Sequence, residues 1–198
     1  MDKYPNISII GPGVMGETFI SSLLSNQVIE SGNIIVAGPR QDKLDELADR
    51  YQIKTTLKNA EAVQEADVVI LCVKPQKLTQ VIKDIQNQLS RNALVISIVA
   101  GATINSLVTG LKHSFIVRAM PNTPAQIGEG MTVWTQSQQT SEAQYDLAER
   151  ILSALGKTIF VEEEGYIDMA TAVSGTGPAY VFLFLESMID AGVHLGLP

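Results

Sequence analysis

The sequence predicts an α/β fold: a doubly wound parallel sheet with helices on both faces, followed by the start of an all-helical region. Three observations carry this. Short apolar runs alternate with longer stretches of helical periodicity over most of the chain. Several runs, such as Val68-Val69-Ile70-Leu71-Cys72-Val73, are apolar without alternation, as strands buried on both faces are. After Val161 the strand signals stop and only helical patterns follow. The boundary is therefore placed at 161, with residues 1–161 as the sheet domain and 162–198 as an incomplete helical domain.

Ile7–Ile10 reads as the first strand, and Met15, Phe19, Leu23 and Leu24 recur at helical spacing over Val14–Ser25. Between them stands Gly11-Pro12-Gly13-Val14-Met15-Gly16, a G-x-G-x-x-G at a strand-to-helix junction, which is the pattern of a dinucleotide-binding turn. Gly11 permits the tight turn, Gly13 lets a pyrophosphate approach the backbone, and Gly16 lets the helix lie close to the sheet. Free N–H groups at the helix start then face the phosphates, and the helix dipole favours their charge.

The next strand is Ile34–Ala37, followed by a helix over 42–51 and a short strand Lys54–Thr56. Asn59 is placed to cap a helix over 60–65. A strand over 68–73, a helix over 78–89 and strands over 94–98, 115–120 and 132–135 come next. Ser141 precedes a helical pattern of Leu147, Ala148, Ile151 and Leu152, and Gly156 is expected to close that helix in the left-handed conformation. A strand over 158–161 ends the sheet region, and an acidic turn, Glu162-Glu163-Glu164-Gly165, leads into a short helical pattern over 166–173.

The last helix is expected over 179–195, with Pro178 as its opening residue. Val181-Phe182-Leu183-Phe184-Leu185 covers all sides of that helix rather than one stripe. Leaving such side chains in water costs about 1.5–3 kcal/mol each, so a second subunit or a continuation of the chain is expected to cover them.

Composition narrows the function classes. Of 198 residues, 45% are hydrophobic and 18% charged, as in a globular protein with a core. A net charge of −7 argues against nucleic acid as the main partner, but not against a phosphorylated cofactor. The single cysteine, Cys72, excludes an internal disulfide, suits a reducing compartment, and reads as a small buried hydrophobe. Met1-Asp2-Lys3-Tyr4-Pro5-Asn6 has no signal-peptide character, and no run of 18 apolar residues occurs. A cytoplasmic protein without a membrane partner or a metal site is expected.

The second strand ends in Val36-Ala37-Gly38-Pro39-Arg40. An NAD-binding fold places an acid there for the ribose 2′-hydroxyl, and none is present. Arg40 stands where a 2′-phosphate needs a cation, so NADP(H) is preferred and NAD(H) remains the alternative.

Further motifs converge on one family. Val73-Lys74-Pro75-Gln76 follows the fourth strand, and Arg118-Ala119-Met120-Pro121-Asn122-Thr123-Pro124 spans the end of the sixth, with Gly128-Glu129-Gly130 beyond it. Ser174-Gly175-Thr176-Gly177-Pro178-Ala179-Tyr180 opens the last helix. With the glycine-rich turn, this set resembles pyrroline-5-carboxylate reductase over the whole chain. The resemblance implies a Rossmann domain followed by a helical dimerisation domain, and hydride transfer from NAD(P)H to the C=N bond of 1-pyrroline-5-carboxylate to give L-proline. It implies a homo-oligomer formed through the C-terminal helix.

The resemblance also implies roles for residues. Val73, Lys74 and Pro75 would border the cofactor, Asn59 would contact its adenosine part, and Ala100 would meet the nicotinamide through its backbone. Pro121, Asn122 and Thr123 would shape the nicotinamide end. Glu164 would lie at the substrate side, and Ser174, Gly175 and Thr176 would begin the helix whose N–H groups can receive a carboxylate. The family chain continues beyond this point with a glycine- and threonine-rich segment that holds the substrate carboxylate and offers a proton donor. On that reading the 198-residue chain binds the dinucleotide but turns substrate over poorly.

No histidine is a candidate proton donor, because His113 and His194 fall outside the motifs and read as surface or interface residues. The alternative is a non-catalytic NADP-binding module with its apolar helix as an interaction surface. A hydroxyacid dehydrogenase would want a helical lysine with a nearby asparagine, a pattern not found after Pro178.

Overall fold

The computed structural model describes residues 4–197. Residues 1–3 of the stretch read for a leader, and Pro198, lie outside the described residues. Strands β1 (Ile7–Ile10), β2 (Ile34–Ala37), β3 (Lys54–Thr56), β4 (Val68–Leu71), β5 (Leu94–Ser97), β6 (Ile116–Met120), β7 (Gly130–Gln136) and β8 (Gly156–Phe160) form one sheet. Their order is β3-β2-β1-β4-β5-β6-β7-β8. The first six are parallel to one another, as the continuous apolar character of runs such as β4 predicts.

β7 runs antiparallel to β6, and β8 is parallel to β7. This qualifies the all-parallel expectation, and the reason is length. A parallel crossover needs about a dozen residues or more. Residues 121–129, which include a 3₁₀ turn Thr123–Ile127, are too few and turn the chain straight back.

Helices cover both faces. α1 (Val14–Ser25), α2 (Gln41–Tyr51) and α6 (Glu142–Ser153) bury Phe19, Leu23, Leu44, Leu47, Ile151 and Leu152 against Ile7, Ile9, Ile34, Ile70 and Val117. α3 (Asn59–Val63), α4 (Pro75–Ile85) and α5 (Ile104–Leu111) bury Val63, Val81, Ile85, Leu107 and Leu111 against Ile10, Val69, Leu71 and Val95. α7 (Gly165–Ala170) closes a small third cluster, in which Ile167 packs on Met120 and Val133. A π-helical turn, Thr171–Gly175, joins it to α8 (Gly177–His194).

Several sequence expectations need correction. α5 was not expected, although Ile104, Leu107, Val108 and Leu111 keep helical spacing and the Thr103 hydroxyl accepts from the Ser106 N–H. Asn59 is not a cap. Lys58 holds that position, and Asn59 lies inside α3 with its side chain turned to Asp84. Gly156 does not close α6, whose C-cap is Ala154. Gly156 instead opens β8 at φ 131°, where a Cβ would collide with the Gly130 backbone. His113 is buried, with Nε2 2.5 Å from the Ala93 carbonyl, so it is neither a surface nor an interface residue. Ser141 does cap α6, in a reciprocal capping box with Gln144.

Candidate active site

The carboxyl ends of β1, β4, β5 and β6 lie along one edge of the sheet. Strand order reverses between β1 and β4, and ligands of open α/β sheets bind in the crevice outside such a switch point. β1 delivers the glycine-rich turn there. Gly11 adopts φ 100°, and its N–H donates to the Ala37 carbonyl at 2.9 Å. A Cβ on Gly16 would fall 2.3 Å from the Gly11 carbonyl oxygen, so α1 can press this close only as glycine. A Cβ on Gly13 would meet nothing within 4 Å. Gly13 is the N-cap of α1, and no side chain caps the helix. The first-turn N–H groups thus open onto unfilled space beside a bare backbone, which fits a pyrophosphate.

A cleft of about 370 Å³ continues from this turn, lined among others by Gly38, Pro39, Leu57, Asn59, Val73 and Lys77. Its lining is mostly apolar, as suits an adenosine face. Gly38 is there for Pro12, because a Cβ would sit 2.5 Å from the proline ring. The Asn59 amide donates to Asp84 Oδ2 at 2.9 Å, and Gln80 donates to Oδ1 at 2.8 Å. Lys77, Gln80 and Asp84 of α4 were missed in the sequence. Their signal was position: α4 starts at Pro75, earlier than the apolar period suggests.

Arg40 precedes α2 and is exposed, and its guanidinium grips the Asp42 carboxylate with Nε at 3.2 Å and Nη2 at 2.7 Å. Lys74 is exposed at the start of α4 and makes no ion pair among the described residues. Ala100 is exposed in the turn after β5, beside Gly101 at φ 74°. Cys72 is half-buried against the core rather than fully buried, and its burial pushes the thiol up.

A second group of residues meets at the ends of β5 and β6. Asn122 spans two segments: its amide donates to the Ser174 carbonyl at 3.2 Å, and its oxygen accepts the Met131 N–H at 2.9 Å. The M-P-N-T-P loop and the S-G-T turn are therefore neighbours. Gly175 lies against Met120, where a Cβ would come 3.6 Å from Cγ. The Ser174 and Thr176 hydroxyls bond the carbonyls of Ala170 and Thr171, and the Thr176 N–H bonds Thr171. Thr176 is the N-cap of α8, its own N–H is taken by Thr171, and no side chain caps the helix.

Glu164 is no solvated acid of a charged turn. Its Oε1 accepts from the Ile104 N–H and from Arg118 Nη1, each at 2.8 Å. Arg118 belongs to the R-A-M-P-N-T-P motif, which by itself implies no role for it. A cation inside a fully buried strand was the available signal.

The family model described as NADP oxidoreductase coenzyme F420-dependent matches residues 6–101, and that described as pyrroline-5-carboxylate reductase dimerisation matches residues 164–198. The chain is 39% identical over 192 residues to a pyrroline-5-carboxylate reductase of Synechocystis, covering 97% of this chain and 71% of that one. It is 37% identical over 194 residues to that of Escherichia coli, covering 97% and 71%. Its fold superposes on a pyrroline-5-carboxylate reductase from Coxiella burnetii with a TM-score of 0.90 at 36% identity, covering 99% of this chain and 73% of that chain. The NADP-bound pyrroline carboxylate reductase of Plasmodium falciparum gives 0.86 at 31% identity, covering 98% and 71%. Prephenate dehydrogenase from Aquifex aeolicus, at 19% identity and a TM-score of 0.74, shares the fold alone.

Proposed function

The chain belongs to the pyrroline-5-carboxylate reductase family, and from that premise we propose that it reduces 1-pyrroline-5-carboxylate to L-proline with NADPH as hydride donor. The observation that carries this reading is the open, Cβ-free cradle at Gly13 in a chain similar to reductases over nearly its full length. When bound, NADPH would supply a hydride to the carbon of the C=N bond; with the ring nitrogen already protonated as the iminium, the product is the neutral secondary amine and no further proton is needed.

The chain's own residues bind and orient. Gly11, Pro12, Gly13, Val14, Met15 and Gly16 hold the pyrophosphate on the helix start. Gly38, Asn59 and Val73 line the adenosine cleft, Lys74 and Pro75 border the cofactor beyond it, and Arg40 turns from Asp42 toward the 2′-phosphate. Ala100 and Asn122 flank the nicotinamide end. Glu164, Ser174, Gly175 and Thr176 form the substrate side at the ends of β5 and β6. Holding two reactants in one geometry supplies most of what such a transfer asks of a protein.

We place the domain boundary at 161, with 162–198 beginning the dimerisation domain. α8 supports a homo-oligomer, since Val181–Leu185 are 47% to 65% exposed in the single chain. The stretch Gly165–His194 is long and apolar enough to cross a membrane by length and composition. The match of 164–198 to a dimerisation family favours a second copy over lipid as its cover. A soluble cytoplasmic enzyme follows from that choice.

The test is NADPH oxidation by the purified protein with 1-pyrroline-5-carboxylate, with L-proline identified as product by mass spectrometry. Cofactor consumption that yields no proline overturns the reading.

A further inference from the structure

Arg118 is an arginine in the middle of a strand whose every residue is buried, and its side chain is 2% exposed. Nη1 donates to Glu164 Oε1 at 2.8 Å and Nη2 to Asp168 Oδ1 at 2.5 Å, while Nε has no partner. Burying a guanidinium is costly, and a buried ion pair often contributes no more stability than well-packed apolar residues of the same size. Pinning α7 to the sheet would not by itself require a cation, because Ile167 already packs that helix on Met120 and Val133.

What the guanidinium adds is direction. Oε1 of Glu164 is fixed by two donors from different elements, Nη1 of β6 and the N–H of Ile104 that opens α5. Oε2 accepts no hydrogen bond among the described residues, and the side chain remains 29% exposed. The carboxylate is held by one oxygen and presents the other. Asp168 takes the second arm of the fork, so the guanidinium cannot pivot about the Glu164 contact. α5 follows the Ala100–Gly101 turn, and the Ser174 turn is tied to Asn122, so the free oxygen lies at the same end of the sheet as the nicotinamide loops.

We propose that Arg118 is a positioning residue for the reduction. It aims Glu164 so that Oε2 receives the N–H of the substrate's ring nitrogen, which is cationic as an iminium and remains a donor as the amine of the product. Bond making and breaking are untouched by this contact, which orients the ring. The inference rests on the reductase reading, with Glu164 at the substrate side.

The test compares Arg118→Met, Arg118→Lys, Glu164→Gln and the Arg118→Met/Glu164→Gln double variant in the full-length protein, by steady-state kinetics with NADPH and 1-pyrroline-5-carboxylate. Glu164→Gln is expected to raise KM for the pyrroline by about tenfold or more, the scale of a charge-assisted hydrogen bond. Arg118→Met should do the same with KM for NADPH unchanged. Arg118→Lys, which can reach one carboxylate, should recover part of the loss. The double variant should be no worse than the worse single one, because both act through one contact.

Arg118→Met with an unchanged pyrroline KM, or losses that multiply in the double variant, overturns the inference while leaving the reductase reading intact. Melting of both Arg118 variants at assay temperature overturns it in favour of a purely structural ion pair. An unchanged KM in Glu164→Gln removes the premise and sinks the substrate-side placement of Glu164 with it.

Discussion

Gly16 rests on Gly11: a Cβ added at Gly16 would fall 2.3 Å from the Gly11 carbonyl oxygen and 3.6 Å from Ile9 Cγ2. The obstacle is backbone, which cannot swing aside as a side chain can. Gly16→Ala must therefore push α1 off the sheet and displace the N–H groups aimed at the pyrophosphate. Overpacking of this kind costs about 1–3 kcal/mol. Thermal melts of apo protein should show the loss, and NADPH titration should show weakened binding.

Gly13 behaves oppositely. Its φ of −80° suits any residue, and a Cβ there meets no atom within 4 Å. Gly13→Ala should leave the melting temperature within about a degree of the parent, since a change that creates no clash is usually near neutral. The same Cβ occupies space assigned to the pyrophosphate, so NADPH affinity should fall by tenfold or more, roughly the effect of one lost charge-assisted contact. A variant that keeps its affinity would place the phosphates elsewhere.

Arg40 is engaged with Asp42, and both side chains are about 70% exposed. Exposed pairs are held weakly and are screened by salt, so a 2′-phosphate can take the guanidinium over. Arg40→Ala should cost NADPH affinity about tenfold and leave NADH nearly unaffected. Asp42→Asn, which frees the guanidinium and removes a nearby anion, should move the NADPH-to-NADH preference the other way. Paired titrations of each variant with both cofactors check this, and an unchanged ratio in Arg40→Ala removes Arg40 from cofactor choice.

The parts of this protein that were legible in its sequence are those set by neighbours in the chain. β4 is a continuous apolar run, and β1 nearly one, because both sheet faces are covered, and the G-x-G-x-x-G declares itself through a strand before it and a helix after it. α5 was also written locally, in the spacing of Ile104, Leu107, Val108 and Leu111. Its shortness, and the poor helix formers Val108, Thr109 and Gly110, hid it. The site's second half was not legible. Arg118 meets Glu164 across 46 residues and Asp168 across 50, and no local period encodes such a meeting. The resemblance picks Glu164 out of the three acids for the substrate side, but its partners, a buried arginine and the Ile104 N–H, come only from the fold.

Glu17 in the first turn of α1 links that helix to α2. Its Oε2 receives Lys43 at 2.9 Å, and its Oε1 receives Arg50 at 2.5 Å and the Tyr51 hydroxyl at 3.2 Å. Partial burial pushes its carboxyl up, but Lys43, Tyr51 and Arg50 together more than offset this and hold it below the usual glutamate value. A carboxyl lowered on folding stabilises the native state at pH values above its unfolded value, about 4.3. That contribution is lost as pH falls through the folded value. Glu17→Gln should lower the neutral-pH melting temperature by about 2–4 °C and flatten the melting curve's decline below pH 4.3. Melts across pH 3 to 7 check it, and parallel acid limbs would show that Glu17 does not titrate in this way.

α8 carries the last prediction. Phe182 and Phe184 are each 65% exposed in the single chain, with Val181, Leu183 and Leu185 between and beside them. Consecutive positions on a helix point around the axis, so no rotation of α8 on the sheet could bury all five. Their shared cost in water, on the order of 10 kcal/mol, rivals the stability of a whole domain, so an apposed second copy is the natural cover. Phe182→Glu with Phe184→Glu places two charges where that copy would pack. Light scattering on a sizing column should find the parent associated at micromolar concentration and the double variant monomeric. NADPH binding should persist in the variant, because the cradle at Gly11 to Gly16 belongs to the sheet. Unchanged association would mean that α8 is covered by something other than its own kind.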